Sequence, residues 1–143
     1  MSLDKEPVQV SDAIRIAKEY YSKEEYDHAM RVAGYVAENM SIPYQYRDDC
    51  VCLAIMHDLI EDTKYQGYSY LPQNFRKALL LLTKPKDVSY VDYCRRLRCI
   101  DNTHYALCAY WVKLADMKDH LTLKETLTDK LKAKYLEGLA ELL

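Results

Sequence analysis

Apolar residues recur along this chain every three or four positions, between short stretches rich in proline and helix-capping residues. This period is typical of amphipathic α-helices, and no window alternates with period two for long enough to predict a strand. We therefore expect an all-α protein with a single domain over residues 1–143, without a linker or an internal repeat. The expected helices, with their caps, cover about 11–21, 22–40, 46–62, 71–82, 89–100, 101–121 and 122–142.

Capping residues indicate where several of these helices begin. Ser22 is followed three residues later by Glu25, and Thr122 by Glu125, which is the spacing of a capping box. The second pair predicts that the last helix begins near residue 122. Further N-caps are expected at Ser11, Ser89 and the run 101–103.

Composition narrows the classes of function. The net charge of −2, from 20 basic and 22 acidic residues, offers no basic surplus, so we expect no nucleic-acid partner. No apolar stretch approaches membrane-spanning length and the first residues are charged, so we expect no signal peptide and no membrane role. The cysteines are odd in number and form no CxxC pair, which favours core positions in a reduced, cytoplasmic protein. They are Cys50, Cys52, Cys94, Cys99 and Cys108.

The most informative segment is 54–63, in which four polar side chains end an otherwise apolar stretch. If the segment is one helix, His57 faces Glu61 and Asp58 faces Asp62, because residues four apart are neighbours on a helix surface. Burying these carboxylates beside an imidazole without a partner would cost several kcal/mol. A divalent cation would remove that cost.

Two other positions offer ligands of the same kind. His28 lies at the polar end of a core-facing stripe on the second predicted helix, and Asp116 lies inside an apolar stretch where a lone aspartate is unexpected. With His57 and Asp58 they supply two nitrogens and two oxygens from three helices. Such a set leaves positions for water or substrate, and it favours manganese, iron or magnesium over structural zinc.

The order of these motifs resembles the HD-domain metal-dependent phosphohydrolases. The sequence HDLIEDT at 57–63, with VKLAD at 112–116, is similar to the hydrolase domain of the RelA/SpoT proteins and their small stand-alone relatives. The resemblance runs from about residue 26 to residue 120. Members of that family remove the 3′-pyrophosphate from guanosine tetra- and pentaphosphate. The resemblance therefore implies an HD-type helical bundle and a small phosphorylated nucleotide as substrate.

Site roles follow from the resemblance residue by residue. Glu61 and Asp62 match the acidic pair that positions and deprotonates the attacking water. The cofactor implied is a divalent ion, Mn²⁺ in the first place, with Fe²⁺ or Mg²⁺ as alternatives. The metal ligands implied are His28, His57, Asp58 and Asp116.

Two positions depart from the family pattern and keep alternatives open. The arginine-containing stretch before the first histidine is replaced by SKEEYD at 22–27, which is more acidic and has no arginine, and the usual asparagine four residues beyond Asp116 is His120. The alternatives are hydrolysis of another nucleotide, or a metal- and nucleotide-binding regulatory module without turnover. Self-association also stays open. Candidate substrate contacts are Arg31, Lys64 and His120.

Two further groups carry weaker predictions. His104 falls on a different helix face from Asp116, so we expect a structural role for it. Arg95, Arg96 and Arg98 form a basic cluster on one predicted helix. A solvated face is the expected role of this cluster, with phosphate capture as the alternative.

Overall fold

The computed structural model describes residues 7–98, 103–123 and 126–143. Within these ranges it contains no strand and seven helices of nine residues or more, which confirms the all-α class. None of the helices described is both long and apolar enough to cross a membrane. The helices are α1 (Val10–Tyr20), α2 (Lys23–Glu38), α3 (Tyr44–Met56), the one-turn α4 (Leu59–Asp62), α5 (Gln73–Leu81), α6 (Tyr90–Arg98), α7 (His104–Thr122) and α8 (Asp129–Leu142), with a 3₁₀ turn at Gly67–Tyr70.

The predicted caps have mixed outcomes. The capping box at α2 is confirmed: the Ser22 hydroxyl accepts from the Glu25 amide at 3.2 Å, and the Glu25 carboxylate accepts from the Ser22 amide at 2.8 Å. The Ser89 hydroxyl accepts from the Asp92 amide at 3.1 Å, which confirms the cap of α6. The cap at Ser11 is wrong, because α1 begins at Val10 and Ser11 lies inside it.

The predicted start of the last helix is also wrong. Thr122 belongs to the last turn of α7, where its hydroxyl bonds back to the carbonyl of Lys118, a pairing that threonine can make within a helix. The last helix begins instead at Asp129, behind Thr128, whose hydroxyl accepts from the Leu131 amide at 3.1 Å. Glu125, Cys99 and the predicted cap residues Asp101 and Asn102 lie outside the described residues.

Two hydrophobic clusters hold the helices together. The larger one joins α1, α2, α3, α5 and α7 and includes Val32, Leu53 and Val112. The smaller one joins α6, α7 and α8 around Cys94 and Met117. Helix α7 packs into both clusters, so apolar residues occur around most of its circumference, as expected for a buried helix. The four cysteines described are buried and free, as the sequence predicts.

Gly138 allows α8 to approach α6 and α7 closely. A Cβ atom at this position would lie 2.6 Å from a ring carbon of Tyr90 and 2.9 Å from the methyl group of Met117. Real Cβ atoms do not come so close, so a larger residue would force these side chains or α8 to shift. This contact brings the first half of α8 to the cavity described below.

The continuous helix predicted over 46–62 is broken at its most polar point. Helix α3 ends at Met56, Asp58 has φ −99° and ψ 2°, and α4 then begins at Leu59. In a continuous helix the Asp58 amide would donate to the Ala54 carbonyl, and here each of these two groups has another partner. The Ala54 carbonyl accepts from the His57 ring at 2.6 Å, and the Asp58 amide donates instead to the Tyr21 hydroxyl at 3.1 Å. The expectation that His57 through Asp62 share one regular helix surface is therefore wrong.

Candidate metal centre

Four potential ligands from separate parts of the chain meet where α2, α3 and α7 pack together. His28 lies in the second turn of α2, His57 and Asp58 occupy the break after α3, and Asp116 lies in α7. One donor atom from each residue lies within 4.8 Å of every other, so the group could hold a metal ion. The structure thus brings together the four residues that the sequence singles out.

The separations between donor atoms suit a divalent cation. His28 Nε2 and His57 Nε2 lie 2.9 and 3.2 Å from Asp116 Oδ1. The same two nitrogens lie 3.7 and 3.2 Å from Asp58 Oδ2. Ligand atoms about 2.1 Å from one ion are about 3.0 Å apart at right angles and about 3.4 Å apart in a tetrahedron. These distances therefore match the edges of a coordination polyhedron.

Both imidazoles are held in orientation by hydrogen bonds at Nδ1, on the side of the ring away from the shared donor atoms. His57 Nδ1 lies 2.6 Å from the Ala54 carbonyl, which can only accept, so Nδ1 carries the hydrogen. His28 Nδ1 lies 2.6 Å from Asp119 Oδ2. With hydrogen on Nδ1, each ring in its neutral form would direct its Nε2 lone pair at the common point. Metal-binding histidines are held in this way in proteins.

The charges of the cluster depend on one another. Burial alone would raise the pKa of Asp116, but Lys113 and the surrounding imidazoles hold that pKa well below its ordinary value. Burial alone would lower the pKa of His57, whereas the carboxylates of Asp58 and Asp116 hold it well above the usual value. Protonated imidazole thus neutralises the carboxylates without a cation. A bound cation would replace those protons.

Glu61 and Asp62 border the cavity next to the four donors. Burial and then the charge of Asp58 raise the pKa of Glu61, although the backbone amide of Lys84 donates to its carboxylate. Burial, followed by the charges of Asp58 and Glu61, raises the pKa of Asp62 to about 6. A carboxylate with a pKa in this range can accept a proton at neutral pH.

A cavity of about 220 Å³ lies beside the candidate metal centre, and part of its lining, here called the basic wall, is basic and aromatic. Lys134 lies 4.7 Å from the ring centroid of Tyr90, and Lys113 lies 5.0 Å from the same ring. Lys113 also bonds to Asp116 Oδ2 at 2.9 Å, so Asp116 pairs with a lysine and still joins the metal centre. The residues of this basic wall are Lys84, Lys113, Lys134, Tyr90, Tyr93 and Tyr135.

Sequence reasoning missed most of this wall and also missed Asp119. No local signal marks Lys134 or Tyr135, because only the close packing of α8 brings them to the cavity. Asp119 could have been found from its spacing, since it lies one turn beyond Asp116 in a helix that is apolar on most sides. Metal-binding histidines commonly donate their other ring N–H to a carboxylate, and a second aspartate on the same helix face is a candidate for that role.

The three predicted substrate contacts have different positions. His120 lines the cavity, with Nε2 3.2 Å from Asp116 Oδ1 and its ring stacked on Tyr135 at 4.5 Å. Arg31 donates to Asp119 rather than into the cavity. Lys64 is exposed and does not line the cavity.

The remaining polar groups lie away from the metal centre. His104 Nε2 lies 2.8 Å from Asp49 Oδ2, beside a second cavity of about 390 Å³. This pairing agrees with the structural role expected for His104. Arg95 pairs with Asp92 and with Glu141 at the surface.

Comparison with known proteins adds no family to this description. No protein-family model matches the sequence, and no curated protein matches it significantly. What this chain does must therefore be inferred from its donor atoms and from the cavity beside them.

Proposed function

We propose that this protein is an HD-type, metal-dependent phosphohydrolase that acts on a nucleotide. The first candidate substrate is guanosine 3′,5′-bis(diphosphate), from which it would release the 3′-pyrophosphate. The convergence of two imidazoles and two carboxylates from α2, α7 and the break after α3 is the observation that carries this proposal. The motif order that resembles the HD family, and the acidic pair at 61 and 62, favour hydrolysis as the reaction.

The chain supplies the groups that such a reaction needs. Held by the four donors, a divalent cation would polarise a phosphoryl oxygen and favour attack by water at neutral pH. Glu61 and Asp62 border the same cavity, where a carboxylate can accept the proton that water loses as it attacks phosphorus. Asp116 is buried, so its carboxylate would be shielded from bulk water where it holds the cation.

The charge of the basic wall favours an anionic substrate. Lys84 and Lys134 line the cavity together with the carboxylates, and the Lys84 ammonium donates to the carbonyls of Pro85 and Val88. The lining therefore carries positive charge that attracts a phosphate. The volume of about 220 Å³ is below the range of about 300–1,000 Å³ typical of pockets that enclose drug-sized ligands. The cavity therefore suits the reacting phosphates, with the base lying outside it.

A second candidate is hydrolysis of a different nucleotide. The residues at 22–27 contain no arginine to pack on a guanine base, and they form the capping box and first turn of α2. That observation favours a nucleotidase or pyrophosphohydrolase of other base specificity. A binding module without turnover is the remaining alternative.

A substrate panel separates these possibilities. Protein loaded with Mn²⁺ is incubated with guanosine 3′,5′-bis(diphosphate) and with ordinary nucleoside mono- and triphosphates, and the products are resolved by ion-exchange chromatography. Release of intact pyrophosphate from the first substrate alone supports the proposal. Faster hydrolysis of another nucleotide favours the second candidate. Binding without turnover on every substrate overturns the assignment as an enzyme.

Glu61 provides the matched mutational test. Glu61→Gln should lower turnover by about 10²- to 10⁴-fold, the usual contribution of a general base, because the amide cannot accept the proton. Its Mn²⁺ content, measured by elemental analysis, should stay that of the wild type. Glu38→Gln, an exposed change at the end of α2, is the control and should keep full activity. Wild-type turnover in Glu61→Gln removes Glu61 from the mechanism.

A further inference from the structure

We propose that Asp119 and Arg31 are positioning residues of the metal centre: Asp119 holds His28 for metal binding, and Arg31 holds Asp119. The inference rests on the metal-binding part of the proposed function and is independent of hydrolysis. It assigns a role to a buried carboxylate that contributes neither a ligand atom nor a contact with the cavity. Positioning here means control of the orientation and tautomer of one imidazole ring.

The contact between Asp119 and His28 is short and buried. Asp119 is 1% exposed, and its Oδ2 atom lies 2.6 Å from His28 Nδ1, on the side of the ring opposite the donor atom. Distances near 2.9 Å are usual for neutral N–H···O bonds, and charge-assisted ones are shorter. This contact favours hydrogen on Nδ1 and leaves Nε2 free to bind a cation.

Arg31 offsets the cost of burying this carboxylate by pairing with both of its oxygens. Arg31 Nε donates to Asp119 Oδ1 at 2.8 Å, and a terminal nitrogen donates to Oδ2 at 3.1 Å. The Arg31 side chain is 40% exposed, so its charge stays partly hydrated. A planar, two-point contact of this kind fixes the plane of the carboxylate. Because Oδ2 also accepts from His28, the fixed carboxylate in turn fixes the orientation of the imidazole ring.

The helix register explains why the residues meet. His28 and Arg31 are three apart on α2, and Asp116 and Asp119 are three apart on α7, so each pair occupies one helix face. The helices pack together, and the ring of His28 lies between the two carboxylates. Its Nε2 atom faces Asp116 at 2.9 Å while its Nδ1 atom faces Asp119. One histidine thus links the metal centre to the Arg31–Asp119 pair.

The two imidazoles of the centre differ in what orients them. The Ala54 backbone carbonyl holds His57, and no side-chain substitution can remove it. A side chain holds His28, so its orientation depends on residues that can be changed without touching any ligand. Loss of such an outer partner commonly lowers metal affinity by about 10- to 100-fold.

The test is a Mn²⁺ titration followed by the electron paramagnetic resonance signal of the free ion. Asp119→Leu should lower Mn²⁺ affinity by about 10- to 100-fold. Asp119→Asn keeps an oxygen that can accept from Nδ1–H, so it should retain more affinity than Asp119→Leu. Arg31→Met should show a smaller loss than Asp119→Leu. The control is Glu141→Gln, which removes the negative charge from the surface pair of Glu141 with Arg95 and should bind Mn²⁺ normally.

The visible spectrum of bound Co²⁺ separates positioning from a purely structural role. Removal of Asp119 should change the Co²⁺ spectrum, because one imidazole ligand is displaced or lost. A purely structural pair would lower the melting temperature but leave the Mn²⁺ affinity and the Co²⁺ spectrum unchanged, and that result overturns the inference. If Asp119→Leu does not fold, Asp119→Asn and Arg31→Met decide the matter by the same readouts.

The outcomes for the wild type keep this inference apart from the proposed function. A wild-type protein that binds Mn²⁺ but hydrolyses nothing contradicts the enzyme and leaves the role of Asp119 intact. A wild type that binds no divalent ion overturns the metal centre and this inference together. Normal Mn²⁺ binding and hydrolysis in all three variants overturn only the positioning role.

Discussion

Two histidine–aspartate contacts in this protein are similar in distance and different in surroundings. At the metal centre, His57 Nε2 lies 3.2 Å from Asp116, and at the second cavity His104 Nε2 lies 2.8 Å from Asp49. The first pair is buried and meets two further ligands. The second is half-exposed, and its ring packs edge-on against Tyr46 at 4.2 Å.

The difference shows that neither a close contact nor the larger cavity identifies the candidate site. The cavity beside His104 has about 390 Å³ and the cavity beside the metal centre about 220 Å³. What distinguishes the smaller one is the convergence of four donor residues, two of which are imidazoles held in orientation by hydrogen bonds at Nδ1. An exposed ion pair contributes about 0.2–1 kcal/mol to stability, whereas a bound metal ion contributes several kcal/mol.

The largest expected contrast comes from removing one histidine of each kind. His57→Ala should weaken Mn²⁺ binding by at least about 100-fold, since it removes both a ligand and the neighbour of two carboxylates. His104→Ala should leave Mn²⁺ affinity unchanged. Isothermal titration calorimetry on both variants measures the contrast, with circular dichroism as the check on helix content. Full metal occupancy in His57→Ala would contradict the ligand assignment.

A smaller contrast is expected in metal-linked stability. A ligand present at 100 times its dissociation constant stabilises the native state by about 2.7 kcal/mol, which for this chain length corresponds to about 5–10 °C in melting temperature. Mn²⁺ should produce this shift in the wild type and in His104→Ala, and EDTA should reverse it. Thermal denaturation followed by circular dichroism gives the values. An equal shift in His57→Ala would mean that the ion binds elsewhere.

The smallest effect concerns Asp62 and pH. Because the pKa of Asp62 is raised to about 6, its ionised form is less favourable in the native state than in the unfolded state. That cost is present above about pH 6 and fades towards pH 4, near the unfolded pKa of aspartate. In the metal-free protein, Asp62→Asn should therefore raise the melting temperature at pH 7.5 by about 1–3 °C, a small value because the carboxylate is partly hydrated.

Asp87→Asn, an exposed change in the loop before α6, is the matched control for this pH effect. It should give no difference in melting temperature that depends on pH. Added Mn²⁺ should reduce the gain from Asp62→Asn, because a cation at the neighbouring ligands offsets the charge of the carboxylate. A gain that is the same at pH 4 and pH 7.5 would rule out ionisation of Asp62 as its cause.

Much of the fold could be predicted because helix signals are local. The apolar period predicts the class and the approximate positions of all seven longer helices, and the Ser22 and Ser89 caps have the predicted bonds. The wrong start of the last helix occurs where two local signals compete. Thr122 and Thr128 are both plausible caps, and the pattern in the sequence does not say which one the chain uses.

The sequence by itself also singled out the four residues that could hold a metal ion, because imidazoles and carboxylates inside apolar stretches need partners. Only the tertiary structure decided how they are held and what faces them. Helix α3 stops before His57 because the hydroxyl of Tyr21, just after α1, accepts the hydrogen bond of the Asp58 amide that would have continued the helix. The side chains of Asp119 and Lys134 acquire their roles from α2 packing on α7 and from α8 packing on α6. Contacts between distant segments leave no periodic trace in the sequence, since each helix records only its own buried face.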